Sequence, residues 1–299
     1  MNYDIVILTQ KKYVSPGETD WYTDQILKED QLVQDALQKL NLKVTKKDWA
    51  DPNFDWSSTK TILFRSTWDY FHRFNEFEPW LNKVTKLTQL INPAPQILWN
   101  MDKHYMQDLA DKGVPIVDGH YIKRGSTQTL TSLHQKLGWT ETVIKPTVSG
   151  SARHTYRLNP ENYAEHETLF ANLIQAEDFI LQPFQKNIMT IGEVSHIVIH
   201  GNYSHSILKQ AKEGDYRVQD DHGGTIHDYK ANEAEIAFSQ QAVAACDIMP
   251  LYARVDLIID NNDQLALMEL ELIEPELWFR KNEKAADKLA AAIQEVYFG

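Results

Sequence analysis

Arg254-Val255-Asp256-Leu257-Ile258-Ile259, an Asp260-Asn261-Asn262-Asp263 turn, then Leu265-Ala266-Leu267-Met268-Glu269-Leu270-Glu271-Leu272-Ile273: this stretch decides how the chain is read. Two apolar runs around an Asn/Asp turn spell a β-hairpin. With Asn261 and Asn262 as the loop, Asp256 lies opposite Leu267, and directly opposed residues share a face. Alternation along the strand adds Glu269 and Glu271 to that face, with Arg254 beside them. Such a face is either the solvated side of an antiparallel sheet or a metal site. The flanking residues are almost all apolar, and carboxylates set among them are costly unless they are paired or bind a cation. Three hard oxygen ligands suit Mg²⁺ held together with substrate phosphates, so the metal reading is preferred.

Phosphates beside metal carboxylates also need basic residues, and the informative ones sit in strands. Lys145 ends the apolar strand Thr142-Val143-Ile144-Lys145, before Pro146 and the small-residue loop Ser149-Gly150-Ser151, whose backbone amides can close over phosphate oxygens. Lys209 ends the second strand of a hairpin signalled by Gly201-Asn202, and Arg217 follows in a polar stretch that runs to Gly223-Gly224. Each alone reads as a surface side chain with a solvated head. Their combination points to a phosphate site.

The first hundred residues alternate short apolar runs with amphipathic segments, the pattern of a small α/β domain. Ile5–Leu8 and Ile62–Phe64 are its expected strands, and Ile26–Leu40 its expected helix. Asn92-Pro93-Ala94-Pro95 punctuates the chain, after which a helix through Asp111, a break at Gly113 and a strand at Phe179–Gln182 are predicted. The last segment puts Ala285, Leu289, Ile293 and Val296 on one helical stripe that should pack on the C-terminal sheet.

The 299 residues carry 30 Lys plus Arg against 42 Asp plus Glu, a net charge of −12 that repels phosphate backbones and anionic lipid surfaces. Neither nucleic acid nor membrane is an expected partner. The single cysteine, Cys246, excludes an intramolecular disulfide and a Cys-rich zinc cage. No apolar stretch approaches the roughly 20 residues of a membrane span, and the N-terminus lacks a basic signal region, so a cytoplasmic protein is expected.

Asn100-Met101-Asp102-Lys103, Val143-Ile144-Lys145-Pro146, Leu181-Gln182-Pro183-Phe184, Gly192-Glu193-Val194-Ser195, Lys209 to Arg217 with Gly223-Gly224, and Arg254-Val255-Asp256 to Glu269-Leu270-Glu271 stand in the order seen in ATP-grasp ligases. The chain resembles the glutathione synthetase and ribosomal-protein S6 glutamate ligase branch, and within it the cycloserine-synthetase-like proteins. The match spans about Asn100 to Glu276. It implies an ATP-grasp fold of α/β and α+β class: an N-terminal α/β substrate domain over 1–98, a central ATP-grasp lobe over 99–184 and a C-terminal lobe over 185–299 with the metal site.

The resemblance also implies roles. Lys103 and Lys145, with Ser149, Gly150 and Ser151, would hold the ATP phosphates; Gln182, Pro183 and Phe184 would form the hinge beside adenine, and Glu193 would bind the ribose. Lys209 would lie near the adenine and Arg217 at the transferred phosphate, with Lys209, Arg217 and Arg254 as the catalytic cations. Asp256, Glu269 and Glu271 would carry two Mg²⁺ ions, with Mn²⁺ as the alternative. Two departures stand out: the phosphate loop holds less glycine than in many relatives, and Glu271 replaces a frequent asparagine, which adds a negative charge at the metals.

Arg65-Ser66-Thr67-Trp68-Asp69-Tyr70 follows an apolar strand, where α/β domains place ligand contacts. It is similar to the corresponding run in cycloserine-synthetase-like proteins. Arg65, with Asp69 nearby, either holds a substrate carboxylate or forms a structural strand-to-helix turn. His196, His200 and His205 are expected on one face of their hairpin, but they lack a familiar zinc spacing and read as a polar sheet face.

The expected activity is ATP-dependent joining of a small, amino-acid-like carboxylate to an amine through an acylphosphate, releasing ADP and phosphate. Its rivals are a kinase that phosphorylates a hydroxyl at the same ATP site and a non-catalytic ATP-binding regulatory module. The resemblance makes a homodimer an expectation, with no heptad or exposed apolar stripe in the sequence behind it.

Overall fold

The computed structural model describes residues 1–150, 152–212, 214–218 and 223–299. Ser151, expected in the phosphate loop, lies outside them. The N-terminal part runs β1 (Tyr3–Thr9), α1 (Trp21–Lys39), β2 (Val44–Asp48), β3 (Thr59–Ser66), α2 (Phe74–Val84) and β4 (Gln89–Ile91), with a parallel sheet in the order β2-β1-β3-β4. Alternate β1 residues face opposite ways: Ile5 and Ile7 pack with Val33 and Leu37 of α1, while Val6 and Leu8 pack with Phe77 and Leu81 of α2. Such a strand, covered on both sides, reads as one apolar run. The edge strand β2, Val-Thr-Lys-Lys-Asp, is half-exposed along its length and offers no such run, so the hydrophobic pattern passes over it.

A single helix was expected between Asn100 and Asp111. The chain forms two, α3 (Ala94–Asn100) and α4 (Tyr105–Asp111), and Lys103 lies in the break between them. Gly113 closes the end at φ +85°, a left-handed conformation that costs other residues strain. The central segment follows as β5 (His120–Ile122), α5 (Leu130–Leu137), β6 (Thr142–Pro146), β7 (Tyr156–Leu158), α6 (Tyr163–Leu173) and β8 (Phe179–Pro183), with an antiparallel sheet in the order β5-β8-β6-β7.

The C-terminal segment contains β9 (Glu193–Ile199), β10 (Asn202–Gln210), β11 (Thr225–Tyr229), α7 (Glu233–Ala244), β12 (Tyr252–Ile259), β13 (Leu265–Glu271) and α8 (Lys284–Phe298), with an antiparallel sheet β11-β10-β9-β12-β13. One face packs on α7 and α4 through Val198, Val255 and Leu257. The other carries Ile197, Ile199 and Ile207 under α8, and Glu193, Ser195, Lys209 and Asp256 farther along the same alternation.

Helix α8 wedges between α1 and this sheet instead of resting on the sheet alone, and Ala285, Leu289 and Ile293 supply its buried stripe. Val296 leaves the stripe and is 49% exposed. Buried Asn92 and Asn100 stitch the interdomain segment to the sheet. Asn92 Nδ2 donates to the carbonyls of Tyr252 and Leu272, and Asn100 Nδ2 donates to that of Leu270.

The β9–β10 hairpin corrects the histidine expectation. A register shift between Tyr203 and His205 sets His205 opposite Ile197, while His196 faces Ser206. The two imidazoles therefore point to opposite faces, and His200 occupies the turn at φ +46°. His196 Nδ1 meets Ser239 Oγ of α7 at 3.1 Å, and His205 Nε2 meets the Leu277 carbonyl at 3.0 Å.

Candidate active site

The hairpin of β12 and β13 differs from its expected register in two places. Its loop closes with Asp260 N–H donating to the Gln264 carbonyl and Asp263 at φ +58°, which shifts the pairing by one residue. A bulge between Asp256 and Leu257, opposite Met268, adds a second shift. Asp256 therefore faces Glu269, not Leu267, and Arg254 faces Glu271. Because side-chain direction has a period of two, the two shifts together restore the expected face. Carboxylate oxygens of Asp256, Glu269 and Glu271 lie within 4.8 Å of one another.

Basic residues enclose this cluster. Arg254 pairs with Asp256 at 2.9 Å and with Glu271. Lys103 Nζ reaches Glu269 at 3.1 Å and donates to the Ser149 carbonyl at 2.8 Å, tying the break after α3 to the loop after β6. Lys209 pairs with Glu193 and lies 3.4 Å from Asp256, whose carboxylate also accepts from Ser195.

Burial acts to raise the Asp256 carboxyl, but Arg254 and Lys209 outweigh it and hold the group down at about 2. Glu271 goes the other way: burial, reinforced by neighbouring Glu269 and Asp256 charge, lifts it to about 7 despite Arg254. Against the pull of burial, Lys103 and Lys145 keep Glu269 below its ordinary value.

One cavity contains these groups and nearly all the expected nucleotide residues: Lys103, Lys145, Ser149, Gly150, Gln182, Pro183, Phe184, Glu193, Lys209 and Arg217. The Lys145 ammonium, disfavoured by burial, makes no hydrogen bond or ion pair among the described residues. Gln182 is buried, and its Oε1 has no hydrogen-bond partner. A cation without an anion and an acceptor without a donor match a phosphate and an exocyclic amine, and the oxygen cluster matches divalent ions. The residues present thus fit Mg-ATP.

After β8, the Phe184 carbonyl accepts from Asn261 Nδ2 at 2.9 Å, and the Arg157 guanidinium lies 3.8 Å from the Phe184 ring centroid. Arg217 pairs with Asp215 at 2.6 Å, which holds the Asp215 carboxyl well below the usual carboxylate range.

Arg65 and Asp69 do not line this cavity. Arg65 is buried, donates to the Pro275 carbonyl at 3.1 Å, and sits 3.7 Å from Glu29 and 3.9 Å from Asp30. Asp69 accepts from Trp49 Nε1 at 2.7 Å and pairs with Arg73 at 3.0 Å. Other members of the run do reach the cavity: Trp68, Tyr70 and Phe71 line it together with Glu274, Glu276 and Trp278. Sequence reading assigned these last three no role. Glu274-Pro275-Glu276, two acids around a proline just past a carboxylate-bearing strand, was the available signal.

The N-terminal domain model of D-cycloserine synthetase DcsG matches residues 5–92. Cycloserine biosynthesis protein DcsG of Streptomyces lavendulae is 32% identical over 270 residues, covering 83% of this chain and 87% of the relative. The crystal structure of D-cycloserine synthetase DcsG superposes with a TM-score of 0.83 at 27% identity, over 97% of this chain and 99% of that one. The ATP-grasp ligase PsnB, complexed with minimal precursor, Mg and ADP, shares the fold at a TM-score of 0.61 and 14% identity, over 97% and 98% of the two chains.

Proposed function

Because the chain belongs to the ATP-grasp ligase family that includes the cycloserine biosynthesis protein DcsG, we propose that the cavity described above is a ligase centre in which its residues divide the work of carboxylate activation. The protein is an enzyme of C–N bond formation that uses ATP and Mg²⁺ to ligate amino-acid-like substrates through an acylphosphate. The convergence of Asp256, Glu269 and Glu271 within 4.8 Å, in one cavity with Lys103, Lys145 and Lys209, carries the assignment of roles.

In this reading Asp256, Glu269 and Glu271 hold two Mg²⁺ ions, for which Mn²⁺ can substitute. The ions neutralise phosphate charge. Lys103 and Lys145 hold the phosphates, with the backbone around Ser149 and Gly150 closing over them. Gln182 receives the adenine amine beside Pro183 and Phe184, Glu193 faces the ribose, and Lys209 stands next to it. Arg217 and Arg254 stabilise the charge that develops as the γ-phosphoryl group passes to the carboxylate oxygen.

Residues 1–98 supply the substrate wall, and 99–184 and 185–299 clasp ATP. Of the two readings of Arg65, substrate contact or structural turn, its bond to the Pro275 carbonyl supports the second, a part in fixing the wall, and Asp69, held by Trp49 and Arg73, takes a structural part of its own. The substrates are a small-molecule carboxylate and an amine-type nucleophile. A cytoplasmic location completes the reading, and a homodimer is its expected assembly; no helix of the described residues is long and apolar enough to cross a membrane.

The test is ADP release with Mg-ATP across amino acids and small carboxylates, with and without hydroxylamine. Acid-dependent ADP together with a hydroxamate identifies the activated carboxylate. ADP that depends on a hydroxylated compound and yields no hydroxamate points to a kinase, and tight ATP binding without turnover points to a regulatory module.

A further inference from the structure

Among the described residues, six carboxylates line the cavity: Glu193, Asp256, Glu269, Glu271, Glu274 and Glu276. Five have a basic partner within 4.0 Å. Glu193 has Lys209, Asp256 and Glu271 share Arg254, Glu269 has Lys103, and Glu276 has Arg280. Glu274 forms no ion pair among the described residues. It also lies outside the three-carboxylate group whose oxygens are within 4.8 Å of one another, so it does not share the metal cluster.

The position of Glu274 is nonetheless fixed. Trp68 Nε1 donates to its carbonyl at 2.9 Å, and Arg65 donates to the carbonyl of the next residue, Pro275, at 3.1 Å. The Tyr70 hydroxyl stands beside its carboxyl, and burial, reinforced by the charge of Glu271, pushes that carboxyl up to about 8. A half-buried carboxyl with a fixed backbone and no cation has its electrostatic partner missing, and in a cavity open to ligands a substrate can supply it. The two side chains against it, Trp68 and Tyr70, are aromatic and suit a cationic group.

We propose that Glu274 receives the ammonium group of the substrate, so that the acid this enzyme activates carries a free amine and is selected for it. This rests on the ligase reading above. Discrimination follows from the geometry: an acid without the amine leaves half-buried Glu274 without a counter-charge, the arrangement by which a polar site rejects an analogue.

The experiment compares ADP release for D- and L-amino acids and for the des-amino counterpart of each active one, in the wild type and in Glu274→Gln. The expected result is a kcat/KM ratio of amino to des-amino acid that falls about 100-fold in the variant, as loss of a charged partner predicts. A purely structural role lowers both substrates alike and leaves the ratio intact, which overturns the proposal while the ligase reading stands. If the wild type releases no ADP with any acid, the ligase reading fails by itself. The subsite is then decided by calorimetric titration of alanine and of propionate with Mg²⁺ and a non-hydrolysable ATP analogue present. Alanine binding that weakens in Glu274→Gln supports the subsite; equal or absent binding of the two acids, or no change in the variant, overturns it.

Discussion

Glu269 faces Asp256 across the hairpin and pairs with Lys103, so it links the expected metal cluster to the phosphate loop. Glu269→Gln keeps the shape and removes the charge. ADP formation should fall by roughly 10- to 100-fold, the scale of losses at groups that tune a metal site, with an unchanged far-UV circular dichroism spectrum. Wild-type turnover in this variant would remove the metal assignment. Lys145 offers a parallel test. Since it makes no ion pair among the described residues, Lys145→Met leaves no carboxylate stranded and should raise the Kd for Mg-ATP roughly 10- to 100-fold, as loss of a charge-assisted contact does; unchanged nucleotide affinity would place the phosphates elsewhere.

At the scale of elements, the loop after β6 is pressed against the N-terminal wall: a Cβ added at Gly150 would lie 2.6 Å from Phe71 Cε1. Gly150→Ala should therefore push the loop from the phosphate site and lower kcat/KM for ATP about 10-fold, a displacement effect. Phe71→Ala in the same chain should restore part of that loss, and failure to do so would mean the contact does not position the loop.

The hairpin of β9 and β10 gives a pH test. Burial depresses both His196 and His205 to about 4, below their ordinary 6.5. Between these values the unfolded chain binds the protons, so both histidines make stability fall as pH falls from about 6.5 toward 4. Glu271 and Glu274, raised to about 7 and about 8, have the opposite sign, so only a difference isolates the histidines. Relative to the wild type, His196→Leu should gain about 1.4 kcal/mol of stability for each pH unit by which pH falls across that window, measured by denaturant unfolding. A constant difference would contradict a neutral His196.

Across the whole molecule, the segment after β13 is bound to the N-terminal sheet layer by contacts more than 200 residues apart. Glu29 of α1 accepts from the backbone N–H groups of Phe279 at 2.9 Å and Arg280 at 2.8 Å, and Arg280 and Arg65 lie 3.5 and 3.7 Å from it. Glu29→Ala should cost about 3–5 kcal/mol, the penalty for leaving buried partners uncompensated. The thermal midpoint reads that loss. Retained stability would mean that α8 packing against α1 suffices to hold the layers together.

Sequence alone determined the parts of this protein governed by short-range periodicity. Two-residue alternation placed Asp256, Glu269 and Glu271 on one face, and its parity survived a one-residue loop shift and a bulge that no local pattern announced. The apolar runs of β1 and β3, the strand ending at Lys145 and the order of the ATP-grasp motifs were legible for the same reason.

Only the tertiary structure decided which charges neutralise each other. Arg65 meets Glu29 and Pro275, Lys103 meets Glu269, and Glu274 alone of the cavity carboxylates lacks a basic partner among the described residues. Electrostatic pairing depends on distance through space and on burial, and neither is encoded in the spacing of residues along a chain.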